Sequence, residues 1–226
     1  VFSIILPIDI DRIELFKSSF EKYKEFGIPN GTEFLLISRT LVNSPIDSSS
    51  IKLIKYNYDG EFFNPSMALN IGVRESKNDN IIIASPEVKP ITNVLQQLSE
   101  RLGRNVVCQV FDETCFHDIG RSLVNNNFRG DTPAMYFLAM YNKKDIEKIN
   151  GWDEDFMRGV GYEDNDFGAR MVRAGIPFEI AEDIQALHLY HPKFYNHVGM
   201  GINENQYQKN NRLKVITPKN GLFKDM

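Results

Sequence analysis

Residues 62–88 read FFNPSMALNIGVRESKNDNIIIASPEV, and the pattern of this stretch sets the class of fold. Asn64 followed by Pro65 is a helix opening, because an amide side chain can cap orphan N–H groups and proline suits the first helical position. SMALNIGVRESK (66–77) then has the pattern of a helix, and NIIIAS (80–85) that of a buried strand: a short apolar run closed by a proline. Glu87 follows just beyond that strand.

The same alternation extends outward from it. VFSIILP (1–7) is a first apolar run stopped by proline. In DRIELFKSSFEKYKEF (11–26), Ile13, Phe16, Phe20 and Tyr23 recur at helical spacing before Gly27 and Pro29. EFLLIS (33–38) and IKLIKYN (51–57) are further strands, and ITNVLQQLSERLG (91–103) is a helix capped by Gly103. This order predicts an α/β fold with a mostly parallel central sheet flanked by helices. Such sheets take ligands beyond the carboxyl ends of their strands, here Pro7–Asp9, Ser38–Arg39, Tyr56–Asp59 and Ser85–Glu87. The second half is less regular. NVVCQVF (105–111), AMYFLAMY (134–141) and DIQALHLYH (183–191) suggest strands and DIEKI (145–149) a short helix. FHDIGRSLVNNNFRGDT (116–132) suggests an exposed loop. The tail after His191 is polar and shows little pattern. No linker divides the chain, so residues 1–226 are expected to form a single domain.

The 226 residues are 42% apolar and 25% charged, with a net charge of −4. That is the composition of an ordinary globular domain, without the clustered Lys and Arg of a nucleic-acid surface. Two cysteines, Cys108 and Cys115, supply neither a disulfide scaffold nor a zinc ligand set; they and His117 are taken as structural, the thiols reduced. No segment approaches the roughly 20 apolar residues of a membrane span. VFSIILPI lacks the basic flank of a signal sequence, so a cytoplasmic location is expected.

Residues 151–171, GWDEDFMRGVGYEDNDFGARM, raise the chemical question. Glu163, Asp164 and Asp166 crowd the start of a helix whose apolar face carries Phe167, Met171 and Ala174. Asp166 and Arg170 are spaced for an ion pair. Carboxylates in a first turn complement the helix dipole by about 0.3–1 kcal/mol each, which accounts for them structurally. Gly159 and Gly161, on either side of Val160, add a backbone that can approach another molecule closely. A carboxylate fixed at such a turn suits a general base.

These motifs resemble inverting glycosyltransferases of the GT-A fold, most closely the β-1,4-galactosyltransferase and chondroitin-polymerase type. The likeness runs in order through VFSIILP, residues 62–88, PAMYFLAMYNKKDIEKINGWDEDF and the acidic turn, covering most of residues 1–192. It implies a GT-A sheet with a small second sheet on the acceptor side. Residues 1–90 would form a nucleotide-sugar half and residues 91–226 an acceptor half. It implies transfer of a sugar from a nucleotide-diphosphate donor, a UDP-sugar, to a glycan or polysaccharide hydroxyl by direct displacement. Asp164 would be the base, with Glu163, Asp166, Arg170, Gly161 and Trp152 on the acceptor side. Pro7, Ile8, Asp9, Ser38, Asn64, Ala68, Asn70, Ser85 and Pro86 would line the donor site. Glu87 and His188 would hold a divalent cation, manganese or magnesium. His188 and His191 should point to opposite strand faces, and His188 fits the family spacing better. Peripheral attachment at the inner face of a membrane is compatible with such a role.

Two departures stand out. The family ends this strand with Asp-Xaa-Asp, whereas this chain has Ser85-Pro86-Glu87, which weakens the expected metal site. Val160 replaces a donor-covering tryptophan, so donor choice does not transfer. A sugar nucleotidyltransferase would need a glycine-rich loop after the first strand, and PIDIDRIE has no glycine. The alternative is a catalytically inactive GT-A-like module that binds nucleotide or glycan; the retained set Glu87, Glu163, Asp164 and His188 argues against it, since a fold needs none of them.

Overall fold

The expected alternation is present in the computed structural model, which describes residues 1–113, 137–158, 161–192 and 197–223. Cys115, His117, Gly159, Val160, the loop 116–132 and the start of the expected strand 134–141 lie outside the described residues. The first half runs β1 (Ser3–Pro7), α1 (Ile13–Phe26), β2 (Glu33–Ser38), β3 (Ile51–Lys55), α2 (Pro65–Glu75) and β4 (Asn80–Ala84). It continues through β5 (Val88–Pro90), α3 (Val94–Ser99), β6 (Val106–Asp112), β7 (Leu138–Asn142) and α4 (Lys143–Lys148). The last elements are α5 (Glu163–Arg173), β8 (Glu179–His188) and α6 (His197–Arg212).

The strands form one sheet in the order β3-β2-β1-β4-β7-β6-β8-β5. β3, β2, β1 and β4 are mutually parallel, β7 runs antiparallel to β4 and β6, and β6 pairs parallel with β8. Among the described residues, the strands of the acceptor side extend this sheet instead of forming a second one.

Side-chain alternation along each strand divides the core in two. Ile4 and Leu6 pack with Phe16 and Phe20 of α1 and Leu98 of α3. Ile5 and Ile83 pack on the opposite face with Leu69 of α2, Ile146 of α4 and Phe167 of α5. Gly72 allows α2 to sit directly on β1, since a Cβ there would lie 2.3 Å from Ile5. No helix among the described residues is long and apolar enough to cross a membrane.

Four local expectations are corrected. The helix expected over 91–103 is confined to Val94–Ser99, because the amides of Ile91 and Thr92 donate to Gln185 O and prolong the sheet edge. β8 begins at Glu179, earlier than expected, and ends at His188. β5 is too short to give a sequence pattern. The patternless tail is the helix α6, whose inward positions include Asn203, Tyr207 and Asn210. Its period is helical but its buried face is largely amide, so hydrophobic periodicity does not reveal it.

Trp152, expected at the acceptor, is a core residue. It is fully buried and stacks on Phe167 with centroids 4.0 Å apart and planes 3° apart, with Tyr141 edge-on to both. Removing so large a buried ring leaves a cavity. Trp152→Ala should lower unfolding stability by about 3–5 kcal/mol in urea melts followed by circular dichroism.

Candidate active site

The carboxyl ends of β1 and β4 open into a cavity of about 210 Å³ whose walls include Pro7, Asp9, Ser85, Pro86, Glu87 and Glu163. Residues expected at the donor and the acceptor thus share one space. Arg12 of the turn between β1 and α1 also lines it.

Glu87 is the centre of the donor side. β5 pairs antiparallel with the end of β8, Val88 opposite His188, and Leu189 N donates to Glu87 O at 3.0 Å. This register sets Glu87 Oε1 3.6 Å from His188 Nε2 and 3.5 Å from His191 Nε2. The expectation that the two histidines diverge fails because β8 ends at His188. The chain then leaves the extended geometry, and both rings converge with centroids 5.1 Å apart. Phe137 packs edge-on against His188. Burial alone would raise the pKa of Glu87, yet hydrogen bonds from His188 and His191 hold it down to about 2. The same contact raises the pKa of His191. Arg12 Nε lies 4.0 Å from the other oxygen, Oε2.

The ligand atoms of Glu87, His188 and His191 lie within 4.8 Å of one another. Donor atoms about 2 Å from a shared ion in tetrahedral geometry lie about 3.3 Å apart, close to the 3.6 and 3.5 Å that separate Glu87 Oε1 from the two imidazole nitrogens. One carboxylate and two imidazoles are a ligand set that fits a divalent transition metal.

On the acceptor side, Tyr162 adopts the left-handed conformation at φ 70° and starts α5, directing Glu163 into the cavity. Glu163 Oε2 accepts from Gly161 N at 2.6 Å. Burial, then the charge of Asp164, raises the pKa of Glu163 to about 8. Asp164 stands beside it, 9% exposed, with Oδ1 accepting from Asn165 N at 2.8 Å.

Asp166 and Arg170 belong elsewhere. Both are fully buried and paired at 2.6 Å. The second Asp166 oxygen accepts from Asn210 of α6 at 2.9 Å, so neither oxygen is open to a sugar. Arg170 Nη1 donates to Ile149 O and Gly151 O, a bracing role.

Several expected donor residues are also enclosed. Ile8 and Ala68 lie in the apolar core. Ser38 Oγ accepts from Thr40 N and Leu41 N, shaping the turn after β2. Asn70 donates to Trp152 O and Glu154 Oε1. Asn64 caps α2 by accepting from Met67 N and donates to Glu154 O. These amides join α2 to the loop before α5 and do not line the cavity. Arg12 lines the cavity without having been singled out by the pattern, and His191, set second to His188, joins it at Glu87. The three-residue spacing from His188 was the available signal for His191.

This is the fold of the GT-A glycosyltransferases. The mannosyltransferase PcManGT from Pyrobaculum calidifontis, in complex with GDP-Man and Mn2+, superposes with a TM-score of 0.60 at 14% identity, over 95% of this chain and 64% of its own. Staphylococcus aureus TarS in complex with UDP-GlcNAc gives 0.64 at 9%, over 85% and 59%. The catalytic domain of Drosophila β1,4-galactosyltransferase 7, complexed with xylobiose, gives 0.56 at 12%, over 92% and 79%. The chain therefore spans about two thirds or less of the first two. Residues 123–193 match a family model described as the N-terminal domain of galactosyltransferase. No curated protein matches the chain by sequence.

Glu163 gives the site a pH signature. Between its ordinary 4.5 and about 8, the folded protein retains a proton that the unfolded chain has released. Stability therefore falls as pH rises through that window and is least penalised below it. In thermal melts Glu163→Gln should reduce the loss of Tm between pH 5 and pH 8.5, while Glu21→Gln on exposed α1 should leave it as in the wild type.

Proposed function

We propose that this chain is an inverting glycosyltransferase that moves a sugar from a nucleoside-diphosphate donor, a UDP-sugar, to a glycan hydroxyl. The observation that carries this reading is the shared cavity: Glu87, which gathers His188 and His191 around it, and Glu163 of the acidic turn line the same space. The relatives' complexes with GDP-Man and Mn2+ and with UDP-GlcNAc support it.

Glu87, His188 and His191 would hold the cation, whose charge would stabilise the departing diphosphate. Asp164 accepts the proton of the acceptor hydroxyl. The acceptor oxygen then bonds to the anomeric carbon as the bond to the diphosphate breaks, and the nucleoside diphosphate leaves with the electron pair. Attack opposite the leaving group inverts the centre and needs no enzyme nucleophile. Glu163, its pKa raised to about 8, keeps its proton near neutrality, can donate a hydrogen bond to an acceptor oxygen, and leaves the negative charge to its neighbour.

Calorimetric titration of UDP and GDP with and without manganese, followed by transfer from UDP- and GDP-sugars to a saccharide panel, tests the reading. Nucleotide binding should strengthen at least tenfold with manganese and lose that gain in His191→Ala. Asp164→Asn should retain manganese-dependent binding while transfer falls by about 10²–10⁴-fold. Unchanged turnover in Asp164→Asn would remove the base assignment, and metal-independent binding would remove the role of Glu87 and the histidines. Binding without transfer to any saccharide would favour a non-catalytic module.

A further inference from the structure

α6 is turned inside out relative to an ordinary surface helix. Its inward positions Asn203 and Asn210 are amides, with Tyr207 between them, whereas Val198 and Ile202 face solvent, Val198 76% exposed. A surface helix on a globular domain normally does the reverse. Leu213, held in helical register by the bond from its amide to Lys209 O, is 62% exposed, and Ile216 follows it onto the surface. At about 100° per residue, Val198, Ile202, Lys209 and Leu213 fall on one stripe facing away from the buried amides.

Cations surround the end of this stripe. Lys209, Arg212, Lys214 and Lys219 are exposed, and none of them has an ion pair or a side-chain hydrogen bond among the described residues. The contrast is with α1, where Lys17, Lys22 and Lys24 each pair with a glutamate. Lys214 closes the helix in the left-handed conformation, at φ 52°, a position that glycine usually fills. The shape of this end is fixed from behind, because Arg173 of α5 donates to Asn211 Oδ1 and Val215 O. A chain with a net charge of −4 therefore gathers unpaired positive charge around protruding aliphatic side chains at one place.

We infer that the outer stripe of α6 and the turn after it form a docking surface for an anionic lipid bilayer. The cations meet headgroup phosphates, and the aliphatic side chains enter the boundary of the acyl chains. Charge complementarity selects this occupant. A two-fold contact with a second copy would set the four cations against themselves. Side chains that protrude singly from a convex helix need no matching groove in a fluid interface, whereas a protein partner must supply one. The surface also adjoins the acidic turn: Tyr207 packs on Tyr162, and a Cβ on Gly161 would lie 3.6 Å from Met200 Cγ. Docking thus holds that turn one helix diameter, about 10 Å, from the lipid. Resting on the transferase reading, this places the acceptor glycan on a bilayer-borne carrier.

Co-sedimentation with phosphatidylcholine vesicles, alone or with about 30% phosphatidylglycerol, tests the surface at low salt. The wild type should bind the anionic vesicles at least tenfold more tightly than the neutral ones. Replacing Lys209, Arg212, Lys214 and Lys219 together by Gln should abolish that preference. A control that removes the same charge elsewhere, Lys17, Lys24, Lys52 and Lys77 to Gln, should keep it. Leu213→Ser with Ile216→Ser should weaken binding about fivefold or more, and all three variants alter exposed side chains, so their Tm values should match the wild type. No binding by the wild type, equal losses in the two charge variants, or no loss on removing the aliphatic pair overturns the proposal. So does a wild-type dimer in sedimentation velocity that the patch variant dissociates, which would assign the stripe to a second copy. No readout involves nucleotide or transfer, so failure of the surface and failure of the transferase reading are seen separately.

Discussion

A guanidinium with no access to solvent lies behind the acceptor turn. Desolvating Arg170 is costly, and the close pair with Asp166 together with the two carbonyls that Nη1 reaches offsets that cost, while Nη2 is buried with no hydrogen-bond partner among the described residues. Asp166 lies one turn earlier on α5, and the carbonyls of Ile149 and Gly151 approach from the preceding loop. Asn210 closes the arrangement from α6, donating to both Asp166 and Asp153. Two segments, the loop 149–153 and α6, are therefore tied to one helix by charge-assisted bonds whose directions are fixed. Glu163 and Asp164 sit in the first turn of that helix, so their aim depends on this buried pair.

The edge that carries Glu87 is built on a different principle. Its three metal-capable side chains come from two strand ends, held in register by the short antiparallel pairing of β5 with β8. Glu87 divides its oxygens, one toward the imidazoles and the other toward Arg12. That division leaves a single oxygen for a cation and keeps the carboxylate from rotating away. Glu87 of the cluster and Glu163 of the acidic turn meet across one small cavity, which is the juxtaposition that the proposed displacement uses.

α6 explains why the C-terminal residues matter to this arrangement. Tyr207 stacks at a tilt on Tyr162, the residue in left-handed conformation that opens α5, and Arg173 of α5 donates to Asn211 and Val215 O. Beyond the helix, Asn150 binds the Pro218 and Phe223 carbonyls and accepts from Phe223 N. The tail therefore fastens both the acceptor turn and the corner that precedes it. Substitutions at these asparagines remove partners from groups that have no water to replace them.

The elements of the first half were legible because their apolar residues repeat with the periods of helix and strand: Phe16 and Phe20 on α1, the run Ile81–Ile83 in β4. The acidic turn was legible as a motif, and so was Glu87 as the carboxylate after a buried strand. What the sequence could not assign was the use of each polar residue. Asp164 and Asp166 are two residues apart and chemically identical, yet one keeps a 9% exposed place beside the cavity-lining Glu163 and the other is sealed against Arg170. Asn70 and Trp152 looked available to ligands until packing enclosed them. His191 joined Glu87 only because β8 stops one turn short of it, and α6 stayed hidden because its buried face is made of amides. Periodicity is a local property written along the chain. Whether a carboxylate, an imidazole or an amide meets water, a partner or a ligand depends on which distant segments pack over it, and tertiary structure alone decides that.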